Sequence, residues 1–397
     1  MSNDPFFTPF NDLELMPVEE KLEIKRKEKK LSIGIPKETC LDEMRTCVTP
    51  DAVQVLTDAG HQIIIERGAG SGSFFTDQQY ADAGAQLTDS ASKAFSQDLI
   101  LKINPPTVEE IQWMKPNAYL ISALQINLRD KEYFLTLAKK KITAIAFEFI
   151  TDEYQQLPLV RLIGEIAGTA SILYASELLA QSNGNMLGGI TGVRPTKVVI
   201  IGAGIVGEFA AKAALGLGAD VKVFDNSLSK LRRLHTSIGA RIPTSIIEPK
   251  ELQKNLRRAD VLIGCMHKQS NIPIVSEDMV MKMKNGSIII DVGIDYGKVV
   301  ETSEITTFKA PYFVKHGVVH SGLPNLTSRV PRLTSKAISN FFLTYLLNYD
   351  EEGGFENMLM NRDEVKHSLY MYRGRHTKKI LCNRFDLPYC DINLLMI

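Results

Sequence analysis

Short apolar runs alternate with mixed, helix-like stretches along most of this chain, and glycine, proline or a capping residue marks most of the switches. Leu31-Ser32-Ile33-Gly34-Ile35-Pro36 has the pattern of a buried strand. Thr49-Pro50-Asp51 then supplies an N-cap, a first-turn proline and an early acid, and Gly60 closes that helix. His61-Gln62-Ile63-Ile64-Ile65-Glu66 predicts a second strand, and Leu99-Ile100-Leu101-Lys102-Ile103 another. Thr107 with Glu110 forms a capping box ahead of the next helix. Further strands are expected at 118–123 and 142–149, and a long helix over 159–181. Strands at 198–201, 221–224, 261–265 and 287–292 follow, then a helix over 333–347. Strands alternating with helices predict an α/β protein with two Rossmann-like domains, parallel sheets and a substrate cleft between them.

The sharpest local signal lies where one strand gives way to a helix. Val198-Val199-Ile200-Ile201 runs into Gly202-Ala203-Gly204-Ile205-Val206-Gly207, and a helical stretch from Glu208 to Ala214 follows. The next apolar run, Val221-Lys222-Val223-Phe224, ends on Asp225. Gly202 permits a tight turn, Gly204 lets the backbone approach a pyrophosphate, and Gly207 lets helix and strand pack closely. The helix N-terminus then faces the phosphate charge. Asp225 stands where a carboxylate accepts from both ribose hydroxyls. A 2′-phosphate there would meet like charge, which favours NAD over NADP.

At 397 residues the chain exceeds one ordinary core, so two domains are expected. Residues 31–157 with 332–397 form a discontinuous substrate domain in this reading, and 158–331 the nucleotide domain. Residues 1–30 make a charged arm, with Pro17 opening a helix on which Glu23 and Lys27 pair. Basic and acidic residues balance at 46 each, which gives nucleic acid or acidic lipid no net field to follow. No uninterrupted apolar run reaches membrane-spanning length, and the first residues lack a secretory pattern. A cytoplasmic location is expected. The cysteines Cys40, Cys47, Cys265, Cys382 and Cys390 are scattered without histidines at zinc spacing, so free thiols and no metal are expected.

Several further stretches resemble one family. Gly34-Ile35-Pro36-Lys37-Glu38-Thr39, Glu43-Met44-Arg45 and Thr49-Pro50 are similar to the opening signature of alanine dehydrogenases and of the NAD(H)-binding domain of proton-translocating transhydrogenase. The likeness continues through Glu66-Arg67-Gly68-Ala69-Gly70, Ala83-Gly84-Ala85, the glycine turn, Ile290-Asp291-Val292-Gly293-Ile294-Asp295 and Pro324-Asn325. For a dehydrogenase the resemblance implies hydride transfer from the α-carbon of alanine to NAD, then hydrolysis of the imine to pyruvate and ammonia. It implies Arg45 as the substrate-carboxylate ligand, a role its two-pronged fork suits. It implies Asp295 as the residue handling water or protons, and Asn325 beside the nicotinamide. Ala203, Ile205, Val206, Lys230, Met266, His267, Val292 and Leu323 complete the implied cofactor contacts. A homo-oligomer is implied as well, hexameric for the dehydrogenases and dimeric for the transhydrogenase domain.

Two positions depart from the dehydrogenase pattern. The family lysine falls at Asn104 and the family histidine at Gln125. Neither amide exchanges a proton at neutral pH, though each hydrogen-bonds a carbonyl or a water. Lys102, two residues before Asn104, shares its face if the strand continues. His267 and His320 border the cleft in this reading. Three functions stay open: an amino acid dehydrogenase, with Asn104 and Gln125 supplying hydrogen bonds; the NAD(H)-binding subunit of a membrane transhydrogenase; and a nucleotide-binding sensor without catalysis.

Overall fold

The computed structural model describes residues 30–266 and 272–395. Residues 1–29 of the charged arm, with its Pro17, Glu23 and Lys27, and His267 therefore lie outside the described residues. Two sheets carry the chain. The first begins with β1 (Ser32–Ile35), β2 (Gln62–Glu66), β3 (Gln86–Thr88), β4 (Leu99–Leu101), β5 (Tyr119–Ser122) and β6 (Thr143–Ala146). The second contains β7 (Lys197–Ile201), β8 (Asp220–Phe224), β9 (Thr244–Ser245), β10 (Val261–Gly264), β11 (Ile288–Asp291), β12 (Phe313–Lys315) and β13 (Val318–Ser321). After it, β14 (Leu369–Tyr372) and β15 (Arg375–His376) return to the edge of the first sheet.

Both sheets repeat one topology. The first runs β15-β14-β6-β5-β4-β1-β2-β3 and the second β12-β13-β11-β10-β7-β8-β9. In each, the chain starts near the middle, winds outward, then crosses back to wind the other way. The β1/β4 and β7/β10 pairs are consequently topological switch points, where loops diverge and leave a crevice. The sheets are not wholly parallel as expected. β12 pairs antiparallel with β13, β14 antiparallel with β6, and β15 antiparallel with β14. β12–β13 and β14–β15 are tight hairpins that need no crossover helix, whereas β14 reaches the edge strand β6 only after the chain has built the whole second sheet.

Local chemistry explains most boundaries. Thr107 and Glu110 close a reciprocal capping box on the helix Val108–Trp113. Thr49 occupies the N-cap of Pro50–Asp58, yet its hydroxyl meets Ser339 Oγ at 3.2 Å instead of capping its own helix. That contact ties the first sheet's helix to the long helix Pro331–Glu352, which carries the chain back from the second sheet.

The other crossing helix, Pro158–Asn183, is long and apolar enough to span a membrane by length and composition. Scattered polar residues hide this in a search for uninterrupted runs. Over half of its most apolar window is buried inside the protein, against the helix Ile205–Gly216. Glycines set the approach: a Cβ on Gly168 would lie 2.3 Å from Val206 O. It is a core helix.

Candidate active site

Each switch point holds one half of the candidate site. After β7, Gly202 turns with φ +115°, and a Cβ there would stand 2.9 Å from the Cys265 carbonyl that follows β10. At Gly207 a Cβ would lie 1.8 Å from Gly202 O, so turn and helix can touch only through glycine. Gly204 differs: φ is −74° and an added Cβ would meet nothing within 4 Å. It is also the N-cap of Ile205–Gly216 and offers no side chain, so the leading N–H groups of this 12-residue helix have no capping acceptor. An open backbone edge with uncapped donors fits a nucleotide diphosphate.

Asp225, at the end of β8, is buried. Its Oδ2 accepts from Ala203 N–H at 2.7 Å and its Oδ1 from Ser227 N–H at 2.7 Å. The carboxylate thus braces the turn, a role the sequence reading did not give it, and each oxygen retains a second lone pair for a ribose hydroxyl. Arg233 Nη2 reaches Ala203 O at 3.2 Å, a neighbour that the sequence reading missed. Met266 and Val292 are half-buried near the ends of β10 and β11, Leu323 is buried, and Lys230 is exposed.

The first sheet's switch point gathers charge. Glu38 follows β1 and Asn104 follows β4. Glu38 Oε1 accepts from Ile103 N–H at 2.6 Å, while its Oε2 accepts from Lys102 Nζ at 3.1 Å and Asn104 N–H at 3.3 Å. Burial raises the Glu38 carboxyl above its ordinary range, against the pull of Lys102. Lys102 is 1% exposed and does not reach the cleft; it anchors Glu38, with Glu110 3.9 Å away. Asn104 Oδ1 accepts from Gln125 Nε2 at 2.9 Å, so the two departing positions form an amide pair. Gln125 itself holds a left-handed backbone, φ 46°, which turns it in at the start of a short 3-10 segment.

Arg45 joins this group. Its Nε and Nη2 donate to the two oxygens of Glu43 at 2.7 and 2.6 Å, and Nη1 donates to Thr327 Oγ1 at 3.1 Å. Asn104 Nδ2 and Asn325 Nδ2 each donate to Glu43 Oε2 at 2.9 Å. Burial pushes the Glu43 carboxyl upward, and the Arg45 charge with these donors more than reverses it, leaving the group below its usual range. The structure therefore brings Arg45, Asn104, Gln125 and Asn325 into one network. Glu43, Thr327 and Ser328 were missed as functional residues. An acid two residues before the arginine was the available signal for Glu43.

Asp295 is exposed on the short 3-10 segment Ile294–Tyr296 just beyond β11. His320 is structural. Its Nδ1 contacts Val318 O at 2.9 Å, its Nε2 contacts Thr302 Oγ1 at 2.8 Å, and its ring stacks on Phe313. A protonated Nδ1 donating to the carbonyl leaves Nε2 to accept from the hydroxyl. No cluster of potential metal ligands occurs among the described residues.

Comparison with known proteins gives a consistent answer. Residues 34–167 match the family model for the alanine dehydrogenase/PNT N-terminal domain, and residues 165–379 the model for the C-terminal domain. Alanine dehydrogenase 2 of Staphylococcus aureus (strain USA300) is 35% identical over 368 residues, covering 91% of this chain and 98% of that protein. A solved L-alanine dehydrogenase superposes with TM-score 0.82 at 34% identity, over 90% of this chain and 99% of its own. A transhydrogenase from Sinorhizobium meliloti shares the fold, with TM-score 0.74 at 23% identity over 88% of this chain and 99% of its own.

Proposed function

Because the chain belongs to the alanine dehydrogenase/PNT family, we propose that it is an NAD-dependent oxidoreductase that reversibly deaminates L-alanine, or a similar small amino acid, to pyruvate and ammonia. One observation carries the reading. A guanidinium has five N–H groups, and Arg45 spends two on Glu43 and one on Thr327. The Glu43 contacts take the Nε/Nη2 edge. One N–H on each terminal nitrogen remains, and Arg45, at 11% side-chain exposure, offers them to a substrate carboxylate.

Residues 31–157 with 332–397 serve as the substrate half in this proposal, and residues 158–331 as the nucleotide half. Gly202, Ala203, Gly204, Ile205, Val206, Gly207 and Asp225 would hold NAD, which would supply the hydride acceptor. The chain's own residues do the rest. Arg45 orients the carboxylate so that the α-carbon faces the second sheet. Asn104 is locked by Glu38, Glu43 and Gln125, and Gln125 keeps its amide oxygen and second N–H for the substrate carbonyl or a water. Asp295, at the open end of the second sheet, orients the water that opens the imine. The same reading makes the protein a cytoplasmic homo-oligomer that acts on a small molecule, without nucleic acid and without a membrane-inserted segment.

Purified protein is assayed with L-alanine and NAD, then with pyruvate, ammonium and NADH. Turnover is expected in both directions. Its absence from protein shown to bind NADH rejects the proposal. The amide pair at Asn104 and Gln125 favours one alternative, the NAD(H)-binding subunit of a proton-translocating transhydrogenase, since hydride exchange between nicotinamides needs no acid or base. That alternative predicts no alanine turnover and a complex with the membrane portions. A sensor that has lost catalysis predicts neither, and Asn104→Lys with Gln125→His would then create alanine turnover.

A further inference from the structure

One carboxylate stands at the centre of the network, and the amino acid chemistry above assigns it no step. The Glu43 side chain is 2% exposed and receives six hydrogen bonds. Three come from Arg45: its backbone N–H at 3.0 Å, Nε at 2.7 Å and Nη2 at 2.6 Å. One comes from Asn104 beyond β4. The other two come from the segment that leaves the second sheet after β13: Asn325 Nδ2 at 2.9 Å and Ser328 Oγ at 3.1 Å. The same segment holds the arginine through Thr327 Oγ1, and Ser328 Oγ accepts from Met44 N–H at 3.3 Å.

We propose that Glu43 is the positioning residue for Arg45 and the clasp between the two sheets, so that the substrate arginine is aimed only while the Asn325–Ser328 segment is docked. The proposal rests on the dehydrogenase reading for its kinetic consequence and on the geometry alone for its mechanical one. A guanidinium on a long side chain has many rotamers, and a fixed carboxylate on one edge selects the single rotamer that presents the other edge. Asn325 approaches the cofactor side and Asn104 the substrate side, and both donate to the same oxygen, Oε2. Retreat of the second-sheet segment strips Glu43 of two donors and Arg45 of Thr327, and the arginine loses its bearing. Binding of nucleotide and binding of amino acid are coupled through one side chain.

Glu43→Ala and the near-isosteric Glu43→Gln test this in the full-length protein. Loss of an aligned charge-assisted contact raises KM for L-alanine on the order of ten- to a hundredfold in Glu43→Ala, with kcat reduced less than KM is raised. NADH affinity in the absence of amino acid stays within about twofold, because Glu43 does not touch the glycine turn. Glu43→Gln, which keeps one acceptor oxygen but turns two N–H groups toward existing donors, falls between wild type and Glu43→Ala. An unchanged KM in folded, NADH-binding Glu43→Ala overturns the proposal. Hydrogen exchange on the protein without substrate reads the clasp independently of turnover. Faster exchange confined to residues 43–46 and 325–330 in both variants is expected. Unchanged exchange there overturns the clasp even if alanine is turned over. Absence of turnover in the wild type with the exchange effect present counts against the dehydrogenase reading and leaves the clasp standing.

Discussion

Gly204→Ala and Gly207→Ala add the same methyl three residues apart, and the structure separates their consequences. At Gly207 the new Cβ would sit 1.8 Å from the carbonyl oxygen of Gly202, a backbone atom that cannot swing aside. Reaching even a 3.0 Å contact requires turn and helix to part by about 1.2 Å. Cys265 Sγ, 3.1 Å away, blocks part of that movement. Overpacking of this kind costs about 1–3 kcal/mol, and a clash against backbone belongs at the upper end. For a folding unit of this size, about 3 kcal/mol lowers Tm by ~6–12 °C. At Gly204 the methyl meets no protein atom, and φ of −74° suits alanine. Stability should change by less than about 1 kcal/mol, reflecting only the weaker preference for alanine at an N-cap. The methyl nevertheless stands on the edge a diphosphate must approach. Losing one or two charge-assisted N–H contacts, at about 1.5–3 kcal/mol each, weakens NADH binding at least tenfold. Thermal unfolding by circular dichroism and NADH titration by fluorescence read the two effects separately. Native NADH affinity in Gly204→Ala, with Tm unchanged, would refute the assignment of this turn to the phosphates.

Three more outcomes follow from the same geometry. Arg45→Lys keeps the charge but removes the two-edged fork, so KM for L-alanine should rise more than tenfold while NADH binding holds; equal KM values in steady-state assays would contradict it. Lys102→Met strands Glu38 and Glu110 beside an apolar chain, and chemical denaturation should show a loss of about 3–5 kcal/mol, largely recovered by adding Glu38→Gln. His320 is held neutral, its value lowered by burial. The unfolded chain therefore takes up a proton first, and stability should fall as pH drops from about 6.5 toward the folded-state value. Denaturant midpoints across that window should be flatter for His320→Gln, and an unaltered slope would count against the assignment.

Much of the second sheet was legible because its signals are local. The run into Gly202, the helix after Gly204 and the acid after Phe224 are all fixed by neighbours within a few residues. The long crossing helices were legible in the same way. The first sheet's site was only partly readable. Arg45, Asn104, Gln125 and Asn325 were named from resemblance, but nothing in their spacing shows that all four belong to one network. That follows from the winding order, which sets the loops after β1, β4 and β5 side by side, and from the docking of the Asn325–Ser328 segment of the second sheet on Glu43. Lys102 illustrates the limit. Alternation puts it on the face of Asn104, and both side chains do donate to Glu38 Oε2, but the strand ends at Leu101 and nothing in the spacing shows that Lys102 is buried on that carboxylate. His320 was equally opaque, since its burial depends on Thr302 and Phe313, both remote from any motif. The antiparallel edge strands carry no crossover helix to announce them.

The last of those edges has a consequence for how the chain is born. Until residues 369–372 emerge from the ribosome, β6 presents a bare row of amide and carbonyl groups, because its partner β14 lies more than two hundred residues downstream. An unpaired border of this kind invites association with any other nascent chain. The second sheet can be completed while the first still waits. A translation stall, or a stop codon between residues 330 and 368, would release a protein with its nucleotide half sound and its other half a sticky template.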